Sequence, residues 1–173
     1  MVFALLFLGE DACIKIIPPF ESRSYVDLTV SALSSFGAAL KFTDACTLQI
    51  KKSRMHGYSG KIEGDYSNAA FLDAFNEIGS AVQIANLKPD SLQGDRVYKE
   101  YFRQLSAGTP TLDISGCPDL GPVLIALAAL KNGAVLTGTD RLKIKESEFK
   151  MKENFVSLFK TSSNIPSIGS KCL

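Results

Sequence analysis

The chain has 173 residues, 46% of them hydrophobic, the size and apolar fraction of an ordinary globular domain with a core of its own. Nineteen basic residues against eighteen acidic ones leave a net charge of +1, without the basic excess by which nucleic-acid binders neutralise phosphates. The cysteines, Cys13, Cys46, Cys117 and Cys172, form none of the close pairs of a zinc site or dithiol redox motif, so a reduced, cytoplasmic chain without a metal site is expected.

The opening run from Met1 to Leu8 is apolar, yet no basic residue precedes it and Glu10 and Asp11 follow at once, so it does not read as an export signal. It is also far shorter than the roughly twenty residues that span a bilayer, which predicts no membrane segment. It reads as the second half of a buried helix with no cap before it. A strand follows at 13–17, then a loop at Pro18 and Pro19. An amphipathic helix over 24–36 leads through Gly37, Ala38 and Ala39 into a strand at 40–42. Further strands are read at 48–51 and 60–63, separated by a polar hairpin or linker at 53–59 that suggests a boundary near residue 60. The helix-glycine-strand unit recurs at 67–78, Gly79 and 82–84, and again at 120–131, Gly133 and 135–137, each glycine standing where a helix end takes a left-handed residue. Between these lie a helix at 97–105, a loop at 106–110 and a strand at 111–114. Residues 149–160 could form a helix, and 161–173 are serine-rich and without pattern, so both ends read as cut. Repeated helix and strand units predict layered α/β packing.

Taken singly, most polar residues of note have plain readings. Asp119 precedes the helix of 120–131 and would cap it, Ser22 would cap the helix of 24–36, and Tyr25 would be a core aromatic. Gly64-Asp65 and Gly94-Asp95 read as turns and caps, His56 as an exposed loop histidine, and 143–148 as a solvated charge run.

Four blocks taken together read differently. They are Ser22-Arg23-Ser24-Tyr25-Val26-Asp27; Ile62-Glu63-Gly64-Asp65-Tyr66-Ser67 with Ser91-Leu92-Gln93-Gly94-Asp95; Asp113-Ile114-Ser115-Gly116-Cys117-Pro118-Asp119-Leu120-Gly121-Pro122; and Arg141-Leu142-Lys143-Ile144-Lys145-Glu146-Ser147. In order and spacing they resemble the 5-enolpyruvylshikimate-3-phosphate synthase family over roughly residues 1–148. The resemblance implies an α/β (α+β) fold of repeated βαβαββ units, the inside-out barrel of enolpyruvyl transferases, here incomplete. Residues 1–60 would finish one domain, 61–148 begin the second, and 149–173 form a divergent tail.

The reaction so implied moves the enolpyruvyl group of phosphoenolpyruvate to the 5-hydroxyl of shikimate 3-phosphate, in the pathway to chorismate and the aromatic amino acids. It needs no cofactor. Asp119 and Glu146 match the family's catalytic carboxylates, Lys145 matches a substrate-contacting lysine, and Ser22 and Tyr25 match contacts to shikimate 3-phosphate, which Asp119 and Lys145 would also touch. Where the family pattern has an arginine for phosphoenolpyruvate, this chain has Phe149, which offers no charge and no bidentate donor. The expectation is an internal piece of the family fold, inactive alone. Two alternatives stand beside it. One is a fragment of the related transferase acting on UDP-N-acetylglucosamine. The other is a non-catalytic remnant that acts as an interaction module, binding another protein or a second copy of itself through open strand edges.

Overall fold

The computed structural model describes residues 1–139. Over these the chain mixes helices and short strands in two compact units, the first Met1–Ile62, the second beginning at Glu63.

The first unit holds α1 (Val2–Leu6), β1 (Ala12–Lys15), α2 (Arg23–Ser35), β2 (Ala39–Phe42) and β3 (Thr47–Lys51). The strands form an antiparallel sheet in the order β1-β3-β2, with Ile50 of β3 opposite both Ala12 and Leu40. Alternation along β3 buries Leu48 and Ile50, each 1% exposed, between less buried neighbours. They share a core with Leu40 and with Leu33, the one buried residue of α2. Val2, Leu5 and Leu6 of α1 rest on this core, but none is buried and Phe3 and Phe7 stay exposed. The expected buried helix at 1–8 is therefore a single surface turn, too short to present more than a narrow apolar stripe.

In the second unit, α3 (Tyr66–Asn76) is followed by a 3-10 turn, Gly94–Val97, that runs straight into α4 (Tyr98–Ala107). Then come β4 (Thr111–Asp113), a second 3-10 turn at Pro118–Leu120, α5 (Gly121–Leu130) and β5 (Val135–Thr137). β4 and β5 pair in parallel, Thr111 opposite Val135, so α5 supplies the crossover that parallel neighbours require. Tyr98, Leu105, Leu120 and Leu124 are fully buried at the centre of this unit. The Tyr98 hydroxyl donates to Asp73 at 3.0 Å, and burial, reinforced by that carboxylate, drives its pKa up. Lys131, at the C-cap of α5, ties three helix ends together by donating to Glu77 at the C-cap of α3 and to Ser106 in the last turn of α4. A cation suits that place, where three sets of helix carbonyls end.

The predicted glycine ends are present. Gly37, Gly79 and Gly133 have φ of +87°, +101° and +83°, and beside each a backbone amide reaches back five residues: Ala38 to Leu33, Ser80 to Phe75, Gly133 to Ala128. Strands follow the first and third glycines only. Residues 82–84 and 60–63 are not strands. Just beyond them the Gly64 amide donates to the Asn86 carbonyl at 2.7 Å, and Asn86 is itself left-handed with φ +66°, which ends a ladder. The Asn76 side chain takes both the amide and the carbonyl of Val82, at 2.6 and 3.0 Å, in place of a neighbouring strand. Nor is 53–59 a hairpin; the Ser53 hydroxyl accepts from the Ala39 amide, and the His56 amide donates to Phe36 at the end of α2.

Candidate active site

Ser22 stands at the N-cap of α2, where a serine ordinarily turns its hydroxyl onto the first amides of the helix. It does not do so here. Its backbone is left-handed, φ 54° and ψ 37°, instead of the extended conformation that aims a capping side chain along the helix, and no side-chain cap bond forms. The residue is 5% exposed, and its Oγ is buried without a hydrogen-bond partner among the described residues. A buried hydroxyl left unsatisfied costs about 1–3 kcal/mol, so such groups are few and call for an explanation.

Tyr25 lies three residues on, in the first turn of α2, its amide donating to the Ser22 carbonyl at 3.2 Å. It is 37% exposed and is not the core aromatic its sequence context suggests. Arg23, which the sequence reading did not single out, sits between them. Its guanidinium lies 4.3 Å from the centre of the Phe42 ring and donates to the Ala45 carbonyl at 2.8 Å.

Asp119, in the second unit, occupies the middle of the 3-10 turn before α5 and is half-buried. Leu120, not Asp119, holds the N-cap position of α5, one residue later than the sequence suggests. The loop that carries it starts at the C-terminal end of β4. It is held by the Asp113 carboxylate, which accepts from the Ser115 amide at 2.9 Å, and by the Tyr101 hydroxyl, which donates to the Asp113 carbonyl at 2.6 Å. Cys117 lies buried in this loop. Burial first, then the nearby carboxylates of Asp95, Asp113 and Asp119, push its thiol up to about 12, so it packs as an inert apolar group. β5 ends beside the same loop. Gly138, with φ +68°, passes so close to the Asp113–Ser115 turn that a Cβ there would sit 2.5 Å from Asp113 Oδ1. Chain leaving β4 and chain leaving β5 thus emerge at the same end of a parallel pair, the end where α/β folds generally place their sites. Lys145 and Glu146 lie outside the described residues, as do Phe149 and the tail.

The structure therefore brings Ser22 and Tyr25 together on one helix turn, and sets Asp119 on a loop of the other unit. The remaining residues take plainer roles. Asp65 caps α3, accepting from the Ser67 and Asn68 amides at 2.8 and 3.2 Å. Glu63 accepts from Ser91 Oγ and Gln93 Nε2 at 2.8 and 2.9 Å, which fastens the chain ahead of α3 to the segment ahead of α4. An open groove of about 720 Å³, lined by Tyr66, Gln93, Arg96 and Lys99 among others, contains none of Ser22, Tyr25 and Asp119. His56 is exposed in its loop. Among the described residues no group of three or more His, Cys, Asp or Glu could hold a metal ion, and no helix is long and apolar enough to cross a membrane.

Comparison with known proteins places these features in a family context. Residues 1–154 match the family model described as EPSP synthase (3-phosphoshikimate 1-carboxyvinyltransferase). Among curated relatives, a 3-phosphoshikimate 1-carboxyvinyltransferase of Clostridium kluyveri is 34% identical over 166 residues, covering 86% of this chain and 39% of the relative. Enzymes of the same name from Clostridium novyi and from Clostridium botulinum strain Alaska E43 are 31% and 35% identical; the matches cover 95% and 86% of this chain, and 42% and 39% of those relatives. The chain thus spans about two-fifths of the length of the curated relatives it matches.

Proposed function

The chain belongs to the EPSP synthase family, and from that membership we propose that it binds shikimate 3-phosphate at the Ser22 turn, as part of a site for enolpyruvyl transfer from phosphoenolpyruvate. The observation that carries this reading is the Ser22 hydroxyl: buried, at the N-terminus of a thirteen-residue helix, and without a partner among the described residues. A phosphate oxygen would satisfy it, and the helix N-terminus favours that anion. Tyr25, one turn along and partly exposed, would lie against the shikimate ring.

The transfer adds the 5-hydroxyl oxygen to C2 of phosphoenolpyruvate, with a proton going to its methylene carbon. Elimination then expels phosphate and removes a proton from that carbon, restoring the vinyl group. Asp119 and Glu146 are the acid and base of this sequence, and Lys145 holds the anionic groups and biases the protonation of nearby carboxylates. Asp119 stands in the loop that follows β4, at one end of the parallel pair. The fold is read as incomplete βαβαββ units of an inside-out barrel, with 1–60 closing one domain, 61–148 opening the next and 149–173 divergent. The division of the chain at Ile62 supports this reading. A cytoplasmic place agrees with free Cys13, Cys46 and Cys117.

Turnover is a separate matter from binding. Phe149 stands where the family pattern has its phosphoenolpyruvate arginine, so the chain as given binds shikimate 3-phosphate without turning over. Mixing it with both substrates and following phosphate release tests this: no release above background is expected, and steady turnover would overturn it. One observation favours a second reading, association with another chain. The face of α3 opposite its core contacts carries Phe71, Leu72 and Phe75, with Ile78 just beyond the helix end, all 42–57% exposed. A helix apolar on both sides is normally covered on both. Size-exclusion chromatography decides it, since a clean monomer across concentrations removes self-association.

A further inference from the structure

Ser22 is held in a backbone conformation that a serine does not choose. The left-handed region costs an L-residue roughly 1–2 kcal/mol, and such strain persists only where the surroundings over-determine it. We infer that Arg23 is the residue that imposes it: a positioning residue, resting on the shikimate 3-phosphate reading above, that fastens the Ser22 turn to the β2–β3 hairpin so that the buried hydroxyl faces the substrate phosphate.

The contacts are specific. The Arg23 guanidinium carbon lies 4.3 Å from the ring centre of Phe42, the last residue of β2, and 5.8 Å from that of Phe20, two residues before Ser22. The two rings are themselves 6.1 Å apart. Arg23 Nη1 donates to the carbonyl of Ala45, in the turn before β3, at 2.8 Å. That turn is fixed in its own right, with Asp44 Oδ1 accepting from the Cys46 amide at 2.8 Å. Residues on both sides of Ser22, Phe20 and Arg23, are thus anchored to the same hairpin end. The contact from Nε to Asp27, 3.4 Å and exposed, adds little. With its charge directed at two rings, a carbonyl and a carboxylate, Arg23 acts on the ligand through Ser22. Lysine could not replace it, lacking the planar group that stacks and forks.

The test uses the full chain as wild type, Arg23→Met, Arg23→Lys and Ser22→Ala, each titrated with shikimate 3-phosphate and with shikimate. Arg23→Met is expected to lose tenfold or more in affinity for shikimate 3-phosphate, with shikimate affinity within twofold of wild type and an unchanged circular dichroism spectrum. Arg23→Lys is expected to stay close to Arg23→Met. The proposal is overturned if Arg23→Met binds shikimate 3-phosphate as wild type does, if lysine restores the affinity, or if both ligands weaken in parallel, the mark of a general structural role. Should Arg23→Met not fold, Arg23→Lys decides alone. If Ser22→Ala weakens binding and the Arg23 variants do not, only this inference fails; if wild type binds no shikimate 3-phosphate, the site reading fails with it.

Discussion

Ser22 and Asp65 each precede a helix, yet only Asp65 caps one. Asp65 is extended, with φ −80° and ψ 118°, and its carboxylate reaches two amides and the Asn68 side chain. Asp65→Ala should therefore cost about 1 kcal/mol in urea unfolding. Ser22→Ala should leave stability unchanged or slightly raised, because it removes a buried hydroxyl that satisfies nothing within the described residues. A Ser22→Ala variant destabilised as much as Asp65→Ala would mean that the hydroxyl is structural. Cys117 gives a pH prediction. Its thiol titrates at about 12 in the fold against a usual 9.0, so the fold prefers the neutral form. The stability this contributes is complete below about pH 9 and is lost as pH rises from 9 toward 12. Urea midpoints measured from pH 8 to 11 should fall, and fall less in Cys117→Ala; a flat profile would contradict the burial of this thiol among carboxylates.

At the scale of elements, what was legible in the sequence was local. Helices α2, α3 and α5 and their terminal glycines follow from apolar spacing and from the need for positive φ at a helix end, which one residue type satisfies cheaply. Gly37→Ala should cost about 1–2 kcal/mol for its φ of +87° alone. The cost should exceed that of Gly79→Ala, because a Cβ at Gly37 would meet the His56 ring at 2.7 Å and the Arg54 carbonyl at 3.2 Å, whereas nothing lies within 4 Å of one at Gly79. Equal effects in paired denaturation curves would show that the 53–58 segment does not pack on the end of α2. The strands at 60–63 and 82–84 were misread because a strand is a property of a pair. Gly60 to Glu63 and Val82 to Ile84 have suitable residues, but no ladder forms among the described residues, and Asn76 occupies the backbone groups of Val82 instead. Arg23 escaped notice for a similar reason: its partners Phe42 and Ala45 come from a hairpin about twenty residues away, and no spacing rule connects them.

At the scale of the whole chain, ancestry and chemistry separate. Ordered blocks from Ser22 to Ser147 carried the family resemblance, and the family match over residues 1–154 agrees with it. The site was legible only as a set of residue identities. That Ser22 turns away from its helix, that Leu120 and not Asp119 stands at the N-cap of α5, and that Tyr25 sits partly in the open are facts of backbone conformation that residue types do not encode. The central claim is that the Ser22 hydroxyl awaits a phosphate. It is tested most directly by calorimetric titration of shikimate 3-phosphate into the wild-type chain and into Ser22→Ala under identical conditions. Saturable one-to-one binding by the wild type, weakened at least tenfold in Ser22→Ala by loss of a hydrogen bond to a charged group of about 1.5–3 kcal/mol, is the predicted result; no binding by the wild type, or equal affinity in both, would contradict it.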